Sequence, residues 1–135
     1  MFLMTLARFD ITPEEINRVV AEFYREVRLH PMLGPVFAQH VRDWAAHEEK
    51  VASFWRNAIL LERGYEGNPM AVHKAAGNVR PGMFLPWLDL FDTVLTRNLT
   101  AEQAASWSAL ARRIGKGLSF GLLDYGGVPN LRGQA

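Results

Sequence analysis

The sequence predicts an all-α, single-domain protein, and three observations lead to this prediction. Apolar residues recur at helical spacing in four long segments of the 135-residue chain, helix-start signals precede two of them, and no segment alternates apolar and polar residues long enough to form a strand. Hydrophobic residues make up 49% and charged residues 21%, a balance unlike that of disordered chains. A chain of this length can bury about two-thirds of its extended surface, so it can build a real core without disulfides or a structural metal.

The first helix is predicted to begin at Pro13, because Thr12 is a good capping residue and Glu15 completes a capping box. It should end at His30, since a residue that precedes proline avoids the helical conformation. A tight corner follows at 31–37, with room for one short turn of helix. The apolar stripe of this first helix comprises Ile16, Val19, Val20, Phe23, Tyr24 and Val27.

Three more long helices are predicted, at about 43–62, 83–98 and 100–123, the last opened by a capping box of Thr100 and Gln103. Between Gly64 and Gly82 glycine and proline leave room only for a short helix, around Pro69 to Ala76. The stripe of the second long helix comprises Trp44, His47, Val51, Phe54, Trp55, Ala58 and Ile59.

Glycine also occurs inside the last long helix, which it weakens by propensity. We therefore expect this helix to pack closely against something bulky at Gly115, Gly117 and Gly121. One domain is expected over residues 1–135, with a loose tail from about residue 126.

Composition excludes several classes of function. Fifteen basic and fourteen acidic residues leave a net charge of +1, which gives no reason to expect a nucleic-acid partner. No apolar run reaches the length of a membrane span, and Met1 to Met4 lacks the order of a signal peptide, so a cytoplasmic protein is expected. The absence of cysteine excludes thiolate metal sites, iron–sulfur clusters and covalent c-type haem.

The usual catalytic motifs are missing as well. His47 and Glu48 begin like a zinc-peptidase helix, but Val51 stands where the second histidine would be. There is no glycine-rich phosphate loop and no nucleophile elbow. Paired catalytic carboxylates are not expected, because the acidic residues lie almost wholly on polar helix faces.

Two of the four histidines, His47 and His73, are the candidates for chemistry, because His30 and His40 flank the proline corner and are expected to be surface loop residues. Taken alone, His47 is interpreted as a core histidine bonded to backbone, and His73 as an exposed loop residue. Tyr24 and Trp87 have polar tips but lie on core-facing stripes, where such residues are usually packing elements. Taken together, two inward histidines on separate helices and an inward Tyr and Trp on two others describe a haem cavity.

On these residues the chain resembles the group III truncated haemoglobins. The separations from His47 to His73 and from His73 to Trp87 suit the family, and the Gly-Gly hinges of groups I and II are absent between the early helices. The capped final helix extends the resemblance over almost all of the chain. The motifs that carry it are Phe23-Tyr24, Leu33-Gly34-Pro35-Val36-Phe37, His47, Phe54-Trp55, Tyr65-Glu66-Gly67-Asn68-Pro69, His73 and Trp87-Leu88-Asp89-Leu90-Phe91.

The resemblance implies a shortened globin fold, a two-over-two helical sandwich around haem b with His73 as the iron ligand. Tyr24, His47 and Trp87 match the distal polar positions of the family. The segment after His73 is more polar than is typical of it. Lys74 and Arg80 in that segment are candidates to reach the haem propionates. The residues expected to line the apolar cavity are Phe23, Phe37, Val51, Phe54 and Trp55.

The expected partners are diatomic gases: oxygen, nitric oxide and carbon monoxide. Hydrogen-bond donors beside the ligand favour slow oxygen release, which suits redox chemistry such as nitric oxide detoxification better than oxygen storage or transport. Whether turnover is nitric-oxide-dioxygenase-like or peroxidase-like stays open, and either needs an external reductase. The alternative is a haem-free helical interaction module in which the same histidines and aromatic residues are core.

Overall fold

The structure, a computed structural model, describes residues 7–65, 67 and 81–127, with the backbone alone at residues 81 and 119–127. The regular secondary structure of these residues is helical. The predicted all-α class is confirmed. The short helix predicted at 69–76 and residues 128–135 of the expected tail lie outside the described residues. The described helices are α1 (Pro13–Leu29), α2 (Leu33–Ala38), α3 (Trp44–Leu60), α4 (Phe84–Asn98) and α5 (Ala101–Gly127), with a 3-10 turn at Pro81–Met83.

The predicted capping box opens α1. The Thr12 hydroxyl accepts a hydrogen bond from the Glu15 backbone N–H at 3.1 Å, and the Glu15 carboxylate accepts one from the Thr12 backbone N–H at 2.9 Å. The bond from the Thr12 backbone is the main reason that the pKa of Glu15 is lowered. The start of α1 is thus determined by local sequence, as predicted.

The corner after α1 is held by His30, which was expected to be a surface loop residue. Its Nδ1 accepts hydrogen bonds from the backbone N–H groups of Met32 and Leu33, each at 3.1 Å. The imidazole therefore satisfies donors at the start of α2 that have no partner within that helix.

Gly34 lets α2 lie directly against the end of α1. A Cβ atom at this position would stand 2.8 Å from the carbonyl oxygen of Arg28 and 3.2 Å from that of Val27. Neither oxygen can move without shifting the α1 backbone. This close approach brings Phe37, on α2, within reach of Tyr24 on α1, with ring centroids 5.7 Å apart.

Two helix pairs stack on each other: α1 packs on α3, α4 packs on α5, and α1 joins the pairs by packing on α4. The centre is aromatic. Phe91 stacks on Trp55 at 5.8 Å between ring centroids and meets Trp107 edge-on at 5.4 Å. This core lies behind the cavity described below and links α3, α4 and α5.

The glycines of α5 differ in how closely neighbouring atoms approach them. A Cβ atom on Gly115 would lie 3.5 Å from Leu88, so Gly115 packs closely against α4 as expected. The same expectation is wrong for Gly117, because a Cβ atom there would meet nothing within 4 Å. Gly121 lies where only the backbone is described. Among the described residues no helix is both long and apolar enough to cross a membrane.

Candidate functional site

A cavity of about 350 Å³ lies between the two helix pairs and is lined by side chains from all five described helices. Its volume falls within the roughly 300–1,000 Å³ typical of small-molecule sites. Most of the lining is aliphatic or aromatic, and a few polar groups interrupt it. An apolar concavity with a small number of polar groups is the usual form of a cofactor or ligand site.

Most of the residues that the sequence assigned to the site line this cavity. Because they come from four separate helices, the fold brings together side chains that are far apart in the chain. His73, Lys74 and Arg80 lie outside the described residues, so the side of the site expected to hold iron is not described. The predicted residues on the cavity wall are Tyr24, Phe37, His47, Val51, Phe54, Trp55 and Trp87.

Phe23 differs from its prediction, because it packs behind the cavity wall instead of lining it. It is 1% exposed and meets Tyr24, Trp87 and Phe91 edge-on at about 5 Å. Successive residues on a helix point about 100° apart, so Tyr24 and its neighbour Phe23 cannot face the same space. Phe23 instead supports the two rings that carry the polar tips.

Sequence reasoning missed part of the lining. The face of α5 could have been found from helical spacing, since Ala111, Ile114, Gly115 and Leu118 recur at intervals of three and four residues. Met83, Val41 and Lys50 carried no comparable signal. His40, expected on the surface, is exposed yet also borders the cavity. The missed lining residues are Leu33, Val36, His40, Val41, Lys50, Tyr65, Met83, Phe84, Ala111, Ile114, Gly115 and Leu118.

His47 is a half-buried cavity residue whose imidazole is unpaired at one nitrogen. Its Nε2 atom is buried and has no hydrogen-bond partner within the described part of the chain. Three rings surround it edge-on, with centroids 4.9 Å away for Tyr24, 5.9 Å for Trp44 and 6.0 Å for Phe37. Burial lowers the pKa of His47, and the positive charge of Lys50 adds to this effect. A neutral imidazole with an unused nitrogen suits interaction with a ligand better than a purely structural role.

Tyr24 is a buried residue of the cavity wall. Burial raises the pKa of its hydroxyl, the carboxylate of Glu48 raises it further, and a hydrogen bond from the Trp87 indole acts in the opposite direction. The phenol is therefore neutral at any physiological pH. An indole N–H can only donate, so an interaction with Trp87 leaves the Tyr24 hydroxyl proton for another acceptor.

The described residues fit a haem better than they fit a bare metal ion. Among them there is no group of three or more His, Asp or Glu side chains that could hold an ion. The cavity offers broad aromatic surfaces for a flat apolar macrocycle, and His47, whose buried Nε2 has no hydrogen-bond partner in the described part of the chain, is one of its lining residues. An apolar pocket with a few polar side chains fits a haem and a small ligand.

Comparison with known proteins supports a globin-type fold. No protein-family model matches the sequence. The chain is 29% identical over 121 residues to the Group 3 truncated hemoglobin ctb of Campylobacter jejuni. The aligned region covers 87% of this chain and 95% of that protein. It also resembles the crystal structure of a group III truncated hemoglobin from Campylobacter jejuni, with a TM-score of 0.80, 28% identity and coverage of 86% of this chain and 94% of that one. The likeness therefore extends along nearly the full length of both chains.

Proposed function

Because this chain belongs to the group III truncated haemoglobins and is a globin-type haem protein, we propose that it holds haem b through His73 and retains oxygen for redox chemistry in the cytoplasm. One observation carries the proposal. Tyr24, His47 and Trp87, from three different helices, converge on one cavity that is otherwise mainly apolar.

The haem, when bound, would supply an iron atom able to bind a diatomic molecule. His73 is assigned as the protein ligand by its resemblance to the family position. The absence of cysteine removes the thiolate alternative. A neutral imidazole binds with one ring nitrogen and donates a hydrogen bond from the other, which fixes the orientation of the ring.

The polar groups of the described wall act on the ligand as donors. Tyr24 has a hydroxyl proton to donate, and Trp87 holds the phenol by donating to its oxygen. A diatomic ligand that acquires partial negative charge accepts such bonds well, and the surrounding rings lower the local dielectric and strengthen them. We therefore propose slow release of oxygen.

Slow release suits consumption of oxygen better than its delivery. Reaction with nitric oxide is the chemistry we propose, and peroxidase-like turnover is the second candidate. Either requires electrons from an external reductase, since the sequence carries no dinucleotide-binding motif. Nitric oxide and carbon monoxide are proposed as further ligands of the same pocket.

The proposal is tested first by the absorption spectrum of the freshly purified protein, which should show an intense Soret band. His73→Ala should lose the haem or its ferrous iron–histidine signature, whereas the matched variant His47→Ala should keep both. If His73→Ala retains the normal ferrous spectrum and His47→Ala loses it, the two sides of the haem have been exchanged. Protein that never contains haem would favour the helical interaction module instead.

A second spectrum tests whether His47 stands at the ligand entrance. We expect the ferrous protein without added ligand to be high-spin, which means that His47 does not bind the iron. Val51, one turn further along α3, shares the cavity-facing side of the helix with His47. A low-spin ferrous spectrum that His47→Ala abolishes would show instead that both histidines bind the iron.

A further inference from the structure

Arg28, at the end of α1, makes two contacts with the beginning of α3. Its guanidinium carbon lies 4.4 Å from the centre of the Trp44 ring, a cation–π contact. The same guanidinium donates to a carboxylate oxygen of Glu48 at 2.9 Å. Trp44 is the first residue of α3, and Glu48 follows one turn later on the same side of the helix. We call Arg28, Trp44 and Glu48 the Arg28 clasp.

His47 lies between the two points that the Arg28 clasp holds. Side chains on a helix lean toward its N-terminus, so the imidazole of His47 leans toward Trp44. The two rings meet edge-on at 5.9 Å, and Trp44 also stacks on Phe37 at 6.5 Å. For the imidazole to rotate out of the cavity, the Trp44 ring must move. Arg28 opposes that movement, because its guanidinium lies over the Trp44 ring.

We propose that Arg28 is a positioning residue that, through Trp44 and Glu48, keeps the His47 ring in the cavity and so limits the rate at which small ligands enter. This inference rests on the proposed function, because the position of His47 controls access only if the cavity binds ligands. The clasp does not touch the ligand itself: Arg28, Trp44 and Glu48 are not among the residues that line the cavity.

The test compares Arg28→Met with Arg56→Met. Methionine preserves much of the unbranched side chain but removes the guanidinium. Arg56 is the matched control, because it links α3 to α1 through Asn17 at 2.6 Å and pairs with Glu49 and Glu62, yet does not line the cavity. Both variants lose an arginine that joins the same two helices, and only one of them should affect His47.

The first readout is the proton NMR spectrum of the His47 ring, assigned with His47→Gln and measured on the diamagnetic ferrous carbon monoxide form. The ring currents of Tyr24, Phe37 and Trp44 should displace these resonances strongly. Arg28→Met should move them toward ordinary values, and Arg28→Lys should restore them in part, since lysine keeps the charge but stacks less well. Arg56→Met should leave them unchanged.

The second readout is carbon monoxide association after flash photolysis. Arg28→Met should bind about two- to tenfold faster than the parent, the range expected from losing an exposed ion pair and a cation–π contact. Raising the salt concentration should speed binding in the parent more than in Arg28→Met, because salt screens the pair with Glu48. Equal association rates in parent and Arg28→Met would overturn the inference even if the protein is a normal haem protein.

Failure of the proposed function has a different signature. Protein without haem would overturn the ligand-binding proposal, and with it the role of Arg28 in ligand entry. Its His47 resonances would still report whether the Arg28 clasp holds the ring. His47 shifts that are the same in Arg28→Met and the parent would refute the positioning role whether or not haem is present.

Discussion

At the scale of single residues, the site depends on two side chains that the sequence classed as ordinary packing residues when taken alone. Tyr24 and Trp87 are 63 positions apart in the chain (87 − 24) and become partners only because α1 packs on α4. The chemistry of the pair has a direction, because an indole N–H can only donate whereas a phenol oxygen can also accept. Removing either group should therefore weaken the hydrogen bonding that holds the ligand.

Tyr24→Phe should release oxygen faster than the parent protein, because it removes the hydroxyl donor without changing the ring. A hydrogen bond to a partly charged acceptor contributes about 1.5–3 kcal/mol, which corresponds to roughly 10- to 150-fold in rate. Trp87→Phe should also accelerate release. Oxygen dissociation measured by stopped flow on the reduced protein checks both. A change of less than about twofold in the oxygen dissociation rate of both variants is smaller than the loss of even the weakest such hydrogen bond would cause. That result would show that these groups do not contact the ligand.

At the scale of elements, the starts of α1 and α5 were predictable because their causes are local. Thr12 and Thr100 each accept a hydrogen bond from the backbone N–H three residues later. The end of α3 was less predictable. The sequence placed it at about residue 62, whereas the helix ends at Leu60 and Leu61 takes a left-handed conformation at φ 63°. A non-glycine residue in that conformation reflects tertiary context, which periodicity does not encode.

The contact between α1 and α2 gives the sharpest prediction at this scale. Gly34→Ala should destabilise the fold by about 1–3 kcal/mol, as overpacking against a rigid neighbour does, because the new methyl would stand 2.8 Å from the Arg28 carbonyl oxygen. It should also weaken haem retention, since α2 carries Phe37. Chemical denaturation and the rate of haem transfer to an acceptor protein measure the two effects.

Gly117→Ala is the matched control for Gly34→Ala. A Cβ atom at Gly117 meets nothing within 4 Å, and the position is inside α5. Alanine there should stabilise the protein by about 0.5–1 kcal/mol through helix propensity. Equal stability changes in the two variants would contradict the close approach of α2 to α1.

At the scale of the whole molecule, the cavity wall and the aromatic core are separate sets of side chains with few members in common. Phe23, Phe91 and Trp107 are almost fully buried and do not line the cavity, whereas Trp55 belongs to both sets. The helices and their buried stripes followed from apolar spacing, whereas the pairing of the helices came from the resemblance. The cavity was anticipated from the combination of histidines, Tyr24 and Trp87 and from the resemblance, because spacing alone does not distinguish a stripe that packs on a neighbour from one that faces a cavity.

This separation predicts what removal of the haem should do. A ligand stabilises the conformations that bind it, so its loss should loosen the walls of the cavity more than the core behind it. We expect backbone amides in α2 and in the first turns of α3 to lose protection from hydrogen exchange by about tenfold or more, an amount equal to roughly 1.4 kcal/mol of local stability. Amides near Phe91 in α4 and Trp107 in α5 should change much less.

Hydrogen exchange followed by mass spectrometry or NMR, with and without haem, provides the measurement. The His73→Ala variant is the control, because protein that never bound haem should show the same pattern as protein from which haem was extracted. A loss of protection spread evenly over α1, α4 and α5 would mean that the core depends on the haem. The aromatic cluster of Trp55, Phe91 and Trp107 would then be insufficient to hold the two helix pairs together by itself.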